Sequence, residues 1–190
     1  MRKNLRELAG PALFEAAFVV LGVVLALAAN EWRQQRKDEH RVAVATRAIN
    51  AELASNRTAV AAASAYHSRL LDSLRLGDSP SWRPSVMLFS RGFVSPAQLS
   101  STAWQTAGTT GVVEHMPYQT VLRLSRVYAS QARYDHQAQS IGEVLYAELY
   151  RTGTEGVTGN YRNLRNLIGA FLYRERHLTA VYDSTLTLTK

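Results

Sequence analysis

The five histidines are the residues of this 190-residue chain best suited to acid–base or metal chemistry. A metal site on one helix usually needs two ligands three or four residues apart, and no two histidines have that spacing. There is no cysteine, and the GxSxG, P-loop and GxGxxG motifs are missing from the sequence. We therefore expect no catalytic residue, no bound metal and no cofactor, and we interpret the chain as non-enzymatic. The histidines are His40, His67, His115, His136 and His177.

Three side chains remain candidates for the wall of a ligand pocket: His67, Trp104 and Tyr118. The two aromatic residues flank a short glycine-containing loop, where a ring serves either a pocket or buried packing. His67 shares a helix face with Asn56. Two interpretations stay open for that pair: a polar site inside a helical bundle, or hydrogen-bonded residues that fix the register of the helices.

The element that precedes these residues is an apolar stretch at 12–30, in which Glu15 is the only charged residue before Asn30. Eighteen helical residues reach about 27 Å, close to the thickness of a bilayer core. Pro11 suits a first helical turn. The sequence thus predicts a tail at 1–11 and a single transmembrane helix at 12–30.

Three residues of this stretch carry further expectations. A carboxylate at Glu15 lies about one turn inside the predicted span, where it is either an interfacial residue or a functional intramembrane group. Gly22 and Ala26 stand one turn apart, and small residues at that spacing let transmembrane helices pack closely.

Two alternatives to an anchor are a cleaved signal peptide and a type IV pilin-like leader. The basic start and the apolar run fit a signal peptide, but Glu15 and the basic residues that follow argue against it. The N-terminus also resembles a pilin leader in having Gly10 and then Glu15 within an apolar helix. Pro11 departs from that family's usual Phe, and no strand-rich second half is predicted.

The region after the span is basic and aromatic, and it is expected to meet the membrane surface. Trp32 is placed for the headgroup layer, and the cations around it are attracted to anionic lipid. The same charges favour, by a small margin, a cytoplasmic C-terminal domain at a bacterial inner membrane. The net charge of +7 is otherwise spread along the chain, so nucleic acid is not an expected partner. The interfacial cations are Arg33, Arg36, Lys37 and Arg41.

From residue 31 to 76 the sequence predicts one long helix with a heptad seam. Its two columns are Val42, Ile49, Asn56, Ala63, Leu70 and Thr46, Leu53, Val60, His67, Leu74. About three further helices are expected in residues 77–190: from Ser95-Pro96 to Thr106, from Pro117 onward, and from Tyr161 to Thr185, with a loop over Gly153–Gly159. The chain is predicted to be all-α, with the long helix packed in a bundle.

The run from Glu15 to Trp32, ending in Asn-Glu-Trp, resembles the opening of a group of uncharacterised bacterial single-pass membrane proteins. The segments Thr102–Ala107, Met116-Pro-Tyr and Leu124–Tyr128 are similar to their later region. The resemblance implies an architecture and no activity. We therefore expect a membrane-anchored scaffold or accessory subunit, with a homo-oligomer or a membrane protein as partner. A sensory or ligand-binding domain that signals through the long helix is the alternative, and a pilin-like component comes third.

Overall fold

The computed structural model describes residues 4–77 and 82–187, with side-chain surroundings described from Phe14 onward. Within those residues the chain forms α-helices and two short 3₁₀ turns, Val86–Phe89 and Val112–His115, and no strand. The all-α prediction is confirmed. The helices are α1 (Asn4–Arg75), α2 (Thr102–Thr109), α3 (Tyr118–Gly159) and α4 (Tyr161–Thr187).

The chain divides within α1 into two compact units, Met1–Val44 and Ala45–Lys190. The first unit contains the predicted span. Its best 18-residue window has a mean hydropathy of 1.8 and no buried residue, so this part of α1 is long and apolar enough to cross a membrane. α1 begins at Asn4, within the tail predicted at 1–11, so residues 4–11 are helical. The segment contains Leu, Arg, Glu and Ala, which favour helix ahead of Pro11.

In the second unit, the heptad seam of α1 is confirmed from its third position, Ile49, onward. Eight consecutive seam positions are buried, and Leu53, Val60 and Leu74 are fully so. Each large aliphatic side chain buried in this way contributes about 1.5–3 kcal/mol. The eight are Ile49, Leu53, Asn56, Val60, Ala63, His67, Leu70 and Leu74.

The apolar cluster at the end of α1 closes one side of this core. Residues from α1, the first 3₁₀ turn and both ends of the α3–α4 junction meet there: Tyr66, Leu70, Leu71, Leu74, Phe89, Val157, Tyr161, Leu164, Ile168 and Leu172. The ring of Trp82 packs so closely on Gly77 that a Cβ at this position would clash with it. The Tyr161 hydroxyl donates to the carbonyl of Gly77 across 3.1 Å, which fixes the end of α1 against α4.

The helix predicted to start at Ser95-Pro96 is wrong. Residues 92–101, called the connector below, have no regular secondary structure, and α2 begins only at Thr102. Local capping signals at Ser95 are overridden because side chains from α1 and α3 bind the connector backbone instead.

The later boundaries of the chain agree with the sequence except at one loop. Pro117 immediately precedes α3, and α4 begins at Tyr161, as predicted. The loop expected over Gly153–Gly159 is wrong, because these residues are helical apart from a kink. Gly153 alone leaves the helical conformation, at φ 67° and ψ −175°, a region that glycine enters without steric strain.

Candidate functional site

The buried polar side chains of the second unit converge on the backbone of the connector. A segment without regular structure leaves N–H and C=O groups unpaired, and each such group costs about 1–3 kcal/mol when buried. Here four N–H groups and two C=O groups between Gly92 and Ala103 are bonded to side chains from α1 and α3. The side chains are Glu52, Asn56, Tyr66, His67, Gln131 and Tyr134.

His67 is the centre of the first part of this network. The backbone N–H of Ser95 donates to its Nε2 atom at 3.1 Å, which assigns the ring hydrogen to Nδ1. That Nδ1–H donates to the carboxylate of Glu175, with distances of 2.9 and 3.0 Å to its two oxygens. Both side chains are fully buried, and the Phe171 ring stacks on the imidazole. We therefore assign a neutral imidazole facing a carboxylate.

Tyr134 completes the environment of that carboxylate. Its hydroxyl accepts the backbone N–H of Ala97 at 2.9 Å and donates to Oε1 of Glu175 at 3.2 Å. Burial, followed by the charge of Glu175, raises the pKa of the Tyr134 hydroxyl, so it stays protonated and keeps its role as donor. The carboxylate thus receives two donors, one from α1 and one from α3.

Asn56 holds the other end of the connector through Ser100. Its Oδ1 atom accepts the Ser100 N–H at 3.0 Å, while its Nδ2 donates to the Ser100 carbonyl at 2.7 Å. The Gln131 Nε2 donates to the same carbonyl at 2.9 Å, and Gln131 Oε1 accepts from Asn56 and from the Tyr182 hydroxyl. Each amide oxygen and nitrogen of the pair therefore has at least one hydrogen-bond partner.

Glu52 caps the N-terminus of α2. Its carboxylate accepts the backbone N–H of Ala103 at 3.0 Å, the Ser100 hydroxyl at 2.6 Å and the Tyr128 hydroxyl at 2.7 Å. Burial by itself raises the pKa of Glu52, but these donors and the N–H of Trp104 outweigh it, so the net pKa lies below its usual value. The anion is stabilised at the positive end of the helix.

The three residues predicted to line a pocket lie in different surroundings. His67 is enclosed in the network and bonded through both nitrogens, which agrees with the interpretation of it as a satisfied core residue. The Trp104 ring stacks on Tyr128, with centroids 5.5 Å apart and planes at 7°. Tyr118 is 74% exposed at the start of α3.

A groove that the sequence did not predict lies between the connector and α3. It has a volume of about 810 Å³, and its walls come from residues 92–99 and from one face of α3 between Asp135 and Leu149. The available signal was the 3-4 spacing of Ala138, Gly142, Leu145 and Leu149. Ala138 and Gly142 are small, so this face of α3 leaves space that larger side chains would fill. We call this cavity the α3 groove.

Of the predicted interfacial residues in the first unit, all but Arg41 are exposed, and Arg41 is half-buried. Trp32 is 60% exposed, and the guanidinium of Arg36 lies over its ring at 5.6 Å. Arg33 and Lys37 face solvent. Arg41 pairs with Asp38 at 3.6 Å.

The residues of the first unit that were predicted to lie within the membrane are also on the surface of the chain. Glu15 and Ala26 are exposed, and a Cβ added at Gly22 would meet no atom within 4 Å. The small-residue face of α1 therefore has open space beside it.

No protein-family model, curated protein or solved structure matches the chain. The resemblance to uncharacterised bacterial membrane proteins stays a prediction.

His67 and Glu175 are residue types that can form a general-base dyad, but both side chains are fully buried, so a substrate cannot reach them. A base must reach a substrate proton through a free nitrogen, and Nε2 of His67 is occupied by the Ser95 N–H within a fully buried site. Across residues 4–77 and 82–187, no group of three or more His, Cys, Asp or Glu side chains is arranged to hold a metal ion. The arrangement binds backbone.

Proposed function

We propose that the protein is a non-enzymatic, membrane-anchored helical scaffold or accessory subunit at a bacterial inner membrane, with its C-terminal domain in the cytoplasm. The observation that carries this proposal is the apolar part of α1, whose large side chains are exposed. Among them Phe14, Leu21 and Leu27 are each more than half exposed. So much contiguous apolar surface is unfavourable in water and suits a lipid environment.

The second unit supports a role in binding and holding a partner more than a role in catalysis. Its buried polar groups pair with the connector backbone, as described for His67 and Asn56, and such a network confers rigidity on a domain. A rigid domain fixed to a bilayer suits a scaffold. The pilin-like alternative gains no support, because the described residues contain no strand-rich half.

The anchor is tested by fractionation of cells that express the full chain. We expect the protein to stay with the membranes after washes in high salt and in carbonate, and a Leu21→Arg/Leu25→Arg variant to be extracted more readily. Val86→Arg, at an exposed apolar site of the second unit, is the matched control and should remain in the membrane. Release of a soluble form that begins near Ala29 would instead establish a cleaved signal peptide.

The scaffold role is tested by the mass of the assembly extracted with its native lipid. We expect more than one chain, or a stoichiometric membrane protein partner, and we expect Gly22→Leu to disrupt an assembly that uses the small-residue face. An isolated monomer from native membranes would contradict the scaffold.

A ligand-binding domain is the second candidate, and the α3 groove favours it. Ligand sites are concave, mostly apolar and about 300–1,000 Å³ in volume, and the groove meets all three conditions.

A further inference from the structure

The α3 groove is acidic in a basic chain. The sequence has 22 Lys and Arg against 15 Asp and Glu. The groove walls include Asp135 and Glu143 and no Lys, Arg or His. The rest of the lining is apolar or uncharged, with Phe93, Leu99 and Ile141 among it. The charges on the groove walls are thus two carboxylates without a lining cation, on an apolar floor.

The face of α3 that forms one wall of the groove has free space above it and is also packed against the core of the domain. Asp135, Gln139, Gly142 and Tyr146 follow one another at steps of four and three, so they lie along one side of the helix. A Cβ at Gly142 would meet no atom within 4 Å, which confirms free space above this position. Leu145, from the same wall, packs against the core cluster. The groove is therefore a preformed feature of the packed domain.

The two carboxylates and one ring provide the polar recognition. The Gln139 Nε2 donates to Oε1 of Glu143 at 3.2 Å, which orients that carboxylate. Desolvation raises the pKa of Asp135, and positive charge in the groove would favour its ionised form. Tyr146 is 74% exposed on the same wall, and a tyrosine ring attracts a cation over its face.

We propose that the α3 groove binds a small organic cation with an apolar body, of the quaternary ammonium or phosphonium class. The cationic centre would lie beside the Glu143 carboxylate and the ring of Tyr146, which are one helical turn apart, and the apolar body would cover the floor. Asp135, about 12 Å along the helix from Glu143, adds negative charge at the other end of the groove. A cation of this class has no N–H donors and relies on charge and aromatic contact, which is what these walls offer. The proposal rests on the second candidate function, ligand binding, and adds the chemical class of the ligand.

The test uses the full chain in phosphatidylcholine nanodiscs and equilibrium dialysis against tetraphenylphosphonium. Empty nanodiscs supply the blank, and triphenylphosphine oxide is the neutral probe of similar shape. We expect saturable binding of the phosphonium. The double variant Asp135→Asn/Glu143→Gln should weaken it about three- to tenfold, the range for partly exposed charge pairs. The same variant should leave binding of the oxide within about twofold, since a neutral body makes no ionic contact.

Two variants separate the groove from other causes. Gly142→Leu fills the groove with a good helix former, so it should weaken both probes by more than about tenfold without lowering the thermal midpoint. Asp72→Asn/Glu114→Gln makes the same change in net charge at exposed sites outside the groove and should leave phosphonium binding unchanged.

Each contrary result has a distinct meaning. If both probes bind equally, if Gly142→Leu blocks both, and if the two carboxylate substitutions have no effect, the ligand is not selected for its positive charge. The preference for a cation is then wrong, and the ligand-binding function remains a candidate. If Gly142→Leu does not affect binding, or if neither probe binds, the α3 groove is not a ligand site. A change in the number of chains per nanodisc on Gly142→Leu, with no effect on the probes, assigns the groove to contact between copies and overturns the proposal.

Discussion

The backbone N–H of Ser95 donates to Nε2 of His67, a residue 28 positions earlier in the chain, and this bond fixes the tautomer of a fully buried imidazole. The remaining hydrogen, on Nδ1, then points at Glu175 on α4. The imidazole of His67, on α1, therefore links the connector to α4. Its removal breaks the hydrogen bond to the connector and the one to Glu175.

Replacing His67 with Ala should destabilise the second unit by about 3–5 kcal/mol. The change leaves the Glu175 carboxylate without its imidazole partner and the Ser95 N–H without an acceptor, and it opens a cavity. Denaturant unfolding of the full chain in detergent measures the loss. His177→Ala, at an exposed histidine on α4, is the control and should stay within about 0.5 kcal/mol of the parent. Similar midpoints for the two variants would refute the described network.

A charge on the buried seam should be equally damaging. Leu53→Asp or Val60→Asp places an unpaired carboxylate at a fully buried position, and we expect a loss of several kcal/mol. Ala61→Asp makes a similar change on the exposed side of the same helix and should cost less than about 1 kcal/mol. If the Val60→Asp variant has the same thermal midpoint as the parent, the seam does not face a core.

Glu52 makes stability depend on pH in a defined direction. Its pKa in the folded chain lies below the ordinary value of 4.5, so the ionised cap stabilises the fold fully above that pH and is lost as the pH falls through the lower, folded value. At neutral pH, Glu52→Gln should cost about 1 kcal/mol, a modest figure because solvent partly screens the site.

The measurement for Glu52 is denaturant unfolding at neutral pH and at several values below pH 4.5. The difference between parent and variant should shrink on acidification. Glu39→Gln, at an exposed position of α1, should show no such dependence. A difference that stays constant down to low pH would mean that the cap is not ionic.

The basic residues after the apolar stretch should enrich anionic lipid around the purified protein. Each cation near an anionic surface contributes about 1 kcal/mol. Arg33, Arg36 and Lys37 are exposed, whereas Arg41 also pairs with Asp38, so we expect Gln at the first three to remove most of the enrichment.

Mass spectrometry of co-purified lipid measures that enrichment. Gln at Arg162, Arg174 and Arg176, three exposed cations of α4, is the charge-matched control and should retain it. If lipid composition is unchanged while protease accessibility shows the domain on the other side of the membrane, the three cations are topology signals.

The seam of α1 was predictable because apolar residues recur every three or four positions along it, and this spacing can be read from the neighbouring sequence alone. The connector was not, because its conformation is decided by partners far along the chain, such as Asn56 and Gln131 for Ser100. Local signals at Ser95-Pro96 therefore predicted a helix that tertiary hydrogen bonds replace. The α3 groove was also missed, since Ala138 and Gly142 are equally compatible with close helix packing.

The distance in sequence between His67 and Glu175, 108 residues, also bears on how the chain is made. At roughly 5–20 residues per second, a ribosome needs on the order of 5–20 s to add Glu175 after it has added His67. During that interval His67 lacks its α4 partner, and Asn56 lacks its connector partner until Ser100 has been added. Until then part of the core of the second unit is incomplete, and a chain stalled or truncated before Glu175 would present the α1 seam to chaperones and proteases.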